Sequence, residues 1–248
     1  MGTFSSAIKK IGIAAFWFGV WGIAAYAIGS DLILPGPVRT FGRLFELVQT
    51  SDFWTSVSFS LLRIIFGFVL SLVVGILLAV FCHKSRLIKE LFVPFINAIK
   101  SIPVASFAIL VAFWFSREHI SIFIAFITVL PIVFFNTQKG IENVDRNLLE
   151  MADVFRVGIF KRIRHIYVPL VMPFIASAAA SGLGFAWKAG IAAELISSVR
   201  DSIGGSLIVA RNFLLMADVL AWTITIVVLA WAMEKIVFFL FGRVKKWQ

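Results

Sequence analysis

Val57-Ser-Phe-Ser60-Leu-Leu-Arg63-Ile-Ile-Phe-Gly67-Phe-Val-Leu-Ser71-Leu-Val-Val-Gly75-Ile-Leu-Leu-Ala79-Val-Phe-Cys82 carries one charged residue, Arg63. The hydrocarbon core of a bilayer is about 30 Å thick and takes about 20 helical residues to cross. A run this apolar and this long is therefore a membrane span. It is also a helix, because a lone segment in lipid satisfies its backbone groups only by bonding within itself. The whole chain agrees with this stretch. Of 248 residues, 60% are hydrophobic and 15% charged, and the mean hydropathy is +0.99. Soluble domains carry about 25% charge.

Outward from this run, five more apolar stretches are legible, giving expected spans near 11–29, 57–82, 91–115, 119–136, 170–194 and 219–241. The expected fold is all-α: a polytopic membrane protein with six transmembrane helices, in one transmembrane domain over 1–248. The N-terminal stretch from Ile11 to Ile28 follows Lys9 and Lys10, as a signal peptide would. It is too long and too aromatic for one, so it reads as a retained first span. The lone Cys82 excludes a disulfide within the chain and reads as a small packing residue.

Net charge is +10. With Lys9 and Lys10 inside, fourteen Lys and Arg residues fall on inside segments, clustered at Lys84–Lys89, Lys139–Arg164 and Arg243–Lys246. Five fall outside: Arg39, Arg43, Arg117, Arg200 and Arg211. Cytoplasmic loops are enriched in Lys and Arg, so the expected topology is N-in, C-in. The same rule makes the basic balance a report on topology, not on nucleic acid.

Several residues inside the spans stand out. Ser56, Ser60, Gly67, Ser71, Gly75 and Ala79 recur at steps of three and four, a small-residue face that lets helices approach closely. Arg63 must face protein or water, or else snorkel to the outer interface. Pro103, in Lys100-Ser101-Ile102-Pro103, breaks the third span, either as a structural kink or beside a pathway. The fifth span is rich in Ala and Gly and ends Trp187-Lys188-Ala-Gly-Ile-Ala-Ala-Glu194. Lys188 fits a pathway lining and an interfacial anchor equally, whereas interface or structural roles suit Glu194 better. Arg63, Ser101, Pro103, Trp187, Lys188 and Glu194 are the candidate pathway residues.

The longest inside segment, 137–169, holds two amphipathic stretches. Leu148, Met151, Ala152 and Phe155 form one apolar face; Ile159, Phe160, Ile163, Ile166 and Tyr167 form another, with Gly158 as an expected turn between them. Short amphipathic helices at a membrane face lie on lipid headgroups or fill a groove in a partner.

The stretch from Glu150 to Pro173 resembles the cytoplasmic coupling motif of bacterial ABC-importer permeases. That motif begins Glu-Ala-Ala, has Gly four residues after the second Ala, and ends Ile-x-Leu-Pro. Glu150 and Ala152 stand at its start, and Ile166, Val168 and Pro169 at its end. Met151 replaces the first Ala, and Arg156 holds the Gly position, with Gly158 two residues later. Leu34-Pro-Gly-Pro37, Ser60-Leu-Leu-Arg63, Ser101-Ile-Pro103, Asn136-Thr-Gln-Lys-Gly140 and Ala192-Ala-Glu194 are similar to the nitrate/sulfonate/taurine branch, so the resemblance runs from about residue 30 to 240.

The resemblance implies short coupling helices between spans 4 and 5. It implies an ATPase contact through Glu150, Met151, Ala152, Asp153, Phe155, Arg156, Gly158, Ile166 and Pro169. It further implies an ATPase dimer as partner, an extracytoplasmic substrate-binding protein, and a second permease subunit forming a homodimer in the lipid of a bacterial cytoplasmic membrane. The implied solute is a small sulfonate, taurine or nitrate-like anion, or alternatively a pyrimidine-type vitamin precursor. The chain itself is expected to be no enzyme and to bind no cofactor, with ATP and Mg on the partner. It has no Gly-x-x-x-x-Gly-Lys-Ser/Thr loop to cradle phosphates. His83, His119 and His165 lie at loops or span edges and form no apparent catalytic set. Carboxylates within spans are few, which counts against a stand-alone secondary transporter.

Overall fold

The computed structural model describes the backbone of residues 2–242 and the side chains of 11–237 and 239. Arg243, Lys245 and Lys246, and the side chains of Lys9 and Lys10, lie outside the described residues. Among these residues every regular element is helical. The elements are α1 (Gly2–Ile28), α2 (Pro37–Val48), α3 (Ser51–Lys84), α4 (Arg86–Ser101), α5 (Val104–Val111) and α6 (Arg117–Glu142). After them come α7 (Arg146–Val154), α8 (Ile159–Arg162), a π-helical turn at Ile163–Tyr167, α9 (Val168–Ser197), α10 (Ile203–Asn212) and α11 (Met216–Gly242).

The core is a packed trio, α3, α6 and α9. The small residues of α3 make it possible. Ser56, Ser60, Gly67, Ser71, Gly75 and Ala79 are all buried, and a Cβ at Gly75 would sit 2.9 Å from Val133. Backbones can come this close only where side chains are missing or small. Gly67 meets Ile122 and Ala125, and Gly75 meets Val133, so α3 and α6 run in the same direction. Gly140 meets Phe174, Gly182 meets Val129 and Phe68, and Gly190 meets Ile64. The helix α9 is therefore antiparallel to both.

This register settles the third crossing. The break at Ile102-Pro103 bends α4 against α5 by 104°, far more than the kinked single span expected over 91–115. A chain leaving α3 and entering a parallel α6 must nonetheless return across the bilayer. The Lys89–Glu142 ion pair holds α4 to the far end of α6, while Ala108 and Val111 pack on Ile120 and Ile124 at its start. The pair α4–α5 is thus one crossing made in two pieces, and with five long apolar helices it brings the spans to six. Both ends of the described chain then lie on one face, with α7.

Two boundaries differ from the sequence expectation. The loop expected over 137–169 shrinks to 143–158: α6 continues to Glu142, and helix resumes at Ile159, running through the π turn to Ser197. The second amphipathic stretch is therefore the first turns of the fifth span, and α7 is the one free-standing short helix between spans 4 and 5. The second span begins at Ser51, not 57, because Thr50 caps it: its hydroxyl accepts from the Phe53 amide at 3.3 Å.

At the opposite end, α2 is tied to α11. Arg43 donates through Nε and Nη2 to both Asp218 oxygens, at 2.6 and 3.1 Å, and through Nη1 to Glu46 at 2.7 Å. The bond to Asp218, then that to Glu46, raises the guanidinium pKa above its already high ordinary value, so it stays charged. Trp222 stacks on Phe53 with centroids 4.9 Å apart. The first helix touches the rest mainly near its end, where Trp21 donates to the Pro35 carbonyl.

Candidate coupling surface and translocation site

The short helix α7 is capped by Asp145, whose carboxylate accepts from the Asn147 amide at 2.9 Å. One face holds it to the bundle. Ala152 is 1% exposed, and Leu149 packs with Ile141, Val144, Val171 and Ile166. At its end the Val157 amide donates to the Ala152 carbonyl at 2.8 Å and the Arg156 amide to the Asp153 carbonyl at 3.0 Å. That pairing, with a left-handed residue between, is a Schellman motif. The left-handed residue is Arg156, with φ +47°. A left-handed residue thus stands where the coupling motif has Gly, although here it is Arg. Gly158 sits at φ −61° and caps α8, so its conformational freedom goes unused.

A clamp then joins α7 to the fifth span. Arg162 donates to the Val157 carbonyl at 2.7 Å and the Ala152 carbonyl at 3.2 Å, and pairs with Asp153 at 2.5 Å. Pro169 cannot donate in its helix, and just before it the Val168 amide reaches Ile163, five residues back. The outward side of this unit is apolar. Met151, Val154, Phe155, Ile159 and Phe160 are exposed, Phe155 at 73% and Phe160 at 74%. Glu150 and Arg156 lie exposed beside them. Nothing else in the described chain covers this ridge.

The pathway candidates separate into two groups. Trp187 and Glu194 are buried in helix packing. Trp187 donates to the Ile226 carbonyl at 3.1 Å. Glu194 Oε2 accepts from Ser60 Oγ at 2.7 Å and from the Gly204 amide at 3.3 Å, and Ser60 Oγ in turn accepts from the Ile203 amide at 2.9 Å. Ser202 accepts from the Gly205 amide. Three orphan donors at the start of α10 are satisfied this way, and a carboxylate suits the positive end of a helix. The four others are accessible. Arg63 is half-buried over the Phe59 ring and reaches the Asp201 carbonyl at 3.4 Å. Ser101 closes α4, Pro103 opens α5, and Lys188 is exposed on α9.

Sequence reasoning did not single out Ser60 as a partner of Glu194, the clamp residue Arg162, or the Arg43–Asp218 pair. Only the cap of α10, Ser202 three residues before Gly205, carried a local signal.

Comparison with known proteins gives consistent matches. The family model described as binding-protein-dependent transport system inner membrane component matches residues 71–247. The aliphatic sulfonates transport permease protein SsuC of Escherichia coli (strain K12) is 30% identical over 207 residues, 82% of this chain and 76% of that protein. The nitrate import permease protein NrtB of Synechocystis is 26% identical, covering 89% and 83%. The riboflavin transport system permease protein RibX of Chloroflexus aurantiacus is also 26% identical, covering 82% and 79%. In fold, the chain is similar to a chain of the inward-facing MetNI methionine ABC transporter, with TM-score 0.54 and 16% identity over 79% of this chain and 94% of that one.

Proposed function

Because the chain belongs to the family of binding-protein-dependent transport system inner membrane components and is an ABC-importer permease for a small solute, we propose that it couples ATP hydrolysis on a partner to passage of a small anion. The observation that carries the proposal is the exposed ridge of Met151, Val154, Phe155, Ile159 and Phe160 on a turn held rigid by Arg162. Burying one such side chain in a groove stabilises a contact by about 1.5–3 kcal/mol. A helix held at both ends transmits displacement, whereas a polar coil absorbs it.

In this reading the ridge seats in a cytoplasmic ATPase dimer, where ATP and Mg bind. The ridge faces the cytoplasm, N-in and C-in, in a bacterial cytoplasmic membrane, a reading that the fourteen-to-five charge split supports. A second copy of the chain completes the path, and an extracytoplasmic binding protein delivers solute to the α2–α10 side. The relatives named for sulfonates and nitrate support an anion of that kind, such as a sulfonate, taurine or nitrate. A ring-bearing vitamin or precursor is the second reading, favoured by the relative named for riboflavin and by the phenylalanines around the α4–α5 break.

The test is the double variant Glu150→Lys/Phe155→Ala, assayed with the products of its native operon. Basal ATP hydrolysis is expected to persist while solute uptake falls at least about tenfold, the loss of roughly 1.4 kcal/mol of coupling. Unchanged uptake, or an ATPase that never co-purifies with the wild-type chain, overturns the proposal.

A further inference from the structure

The break between α4 and α5 opens onto a pocket of about 480 Å³ against α6 and α9. It lies eleven residues from the inner end of α6 at Pro131, or about 17 Å along the helix, near the middle of the span. Its walls are aliphatic and aromatic, with Phe107, Phe135 and Phe185 among them. Its polar side chains are Lys100, Thr128 and Asn136, and its lining has no carboxylate.

Each observation points the same way. Irregular backbone at membrane depth is stable only where it is buried in protein or lines a cavity. An ionisable side chain at that depth is costly unless it has a partner or a wet site. Lys100 forms no ion pair among the described residues, and its ammonium rests 5.9 Å from the centroid of Phe135. Asn136 commits one amide hydrogen to the Ile132 carbonyl at 2.8 Å and keeps the other. The amides of Val104, Ala105 and Ser106 have no backbone acceptor among the described residues, and Val104 lines the same pocket. The site thus presents one cation and several neutral donors in an apolar, aromatic chamber.

We infer that this pocket is a solute-binding site for an organic anion with an apolar or aromatic body, and that Lys100 is the residue that selects the anionic group. The phenyl walls take the body, and Lys100, Asn136 and Thr128 take the charged oxygens. A bare inorganic anion satisfies the donors but leaves the rings uncovered, so alkyl and aryl sulfonates outrank nitrate here. The inference rests on the anion-importing reading above and narrows it.

The test uses the permease–ATPase complex in lipid nanodiscs without its binding protein, and radiolabelled benzenesulfonate as probe. Saturable binding is expected. Lys100→Gln should weaken it by about tenfold or more, the worth of a charge-assisted bond. Lys100→Arg should stay within about threefold. Phe185→Ala should weaken benzenesulfonate and leave nitrate competition unaltered. If the wild type binds no benzenesulfonate, or Lys100→Gln binds it as well as wild type, the inference falls. Uptake of sulfonates by the same complex with its binding protein would then leave the proposed function standing. A complex that imports none of benzenesulfonate, taurine and nitrate overturns the anion reading and this inference together.

Discussion

At the scale of single residues, Arg156 shows that a Schellman turn can close around a residue that carries a Cβ. The left-handed conformation costs a residue with a Cβ about 1–2 kcal/mol, and the Schellman bonds to Asp153 and Ala152 hold Arg156 there. The order of stabilities at this position is therefore predicted. Arg156→Gly should be neutral or stabilising within about 1 kcal/mol, since relieved strain is offset by unfolded-state entropy. Arg156→Val should lose about 1–2 kcal/mol, because a branched side chain suits this region least. Thermal unfolding of the purified complex checks the order. Ser60 and Glu194 make a second prediction. Each removal leaves an amide at the start of α10 unpaired, so Ser60→Ala and Glu194→Ala should each cost about 1–3 kcal/mol. Sharing one network, the double variant should lose less than the sum, as read from the same melts.

At the scale of elements, the clamp by Arg162 makes α7 and the start of the fifth span one mechanical unit. Arg162→Ala removes both carbonyl bonds and the Asp153 pair. It should leave the apolar ridge to dock while the turn gives way, so that ATP hydrolysis continues with reduced uptake; parallel assays of phosphate release and transport separate the two. The ridge was legible in the sequence because Met151 and Phe155 stand at helical spacing on a stretch too charged and too short to cross a bilayer. The boundary of the loop was not, since the helical period is the same on a surface helix and on the part of a spanning helix that projects from lipid. Pro103 announced a break but not its 104° angle, since a proline fixes one φ and not the packing of the two halves. The outer helix α10 was hidden because, apart from the Ser202 cap, what satisfies its first amides is not local. Its capping partners Ser60 and Glu194 are 134 residues apart and meet only in the folded bundle.

At the scale of the molecule, the parallel α3 and α6, with α9 antiparallel to both, require one crossing between α3 and α6, which with the five long apolar helices makes six. The prediction is one of sidedness. In a Cys82→Ser background, cysteines at Glu150 and Arg211 should be labelled by an impermeant maleimide from opposite faces of the membrane, Glu150 from the cytoplasm. Labelling of both from one face would contradict six spans. The two-piece crossing also bears on how the chain is made. Neither half reaches across the hydrocarbon alone: sixteen residues of α4 rise about 24 Å and eight of α5 about 12 Å. Arg86, Lys89, Glu90 and Lys100 further weaken α4 as a signal to the insertion machinery. What holds the segment in the bilayer is α6, through Phe134 against Ile96 and Ile120 against Ala108. The ribosome must therefore deliver residues to about Glu142 before this part of the protein commits to its orientation, and in a nascent chain that stalls at Val111 the α4–α5 segment has nothing to hold it across the bilayer.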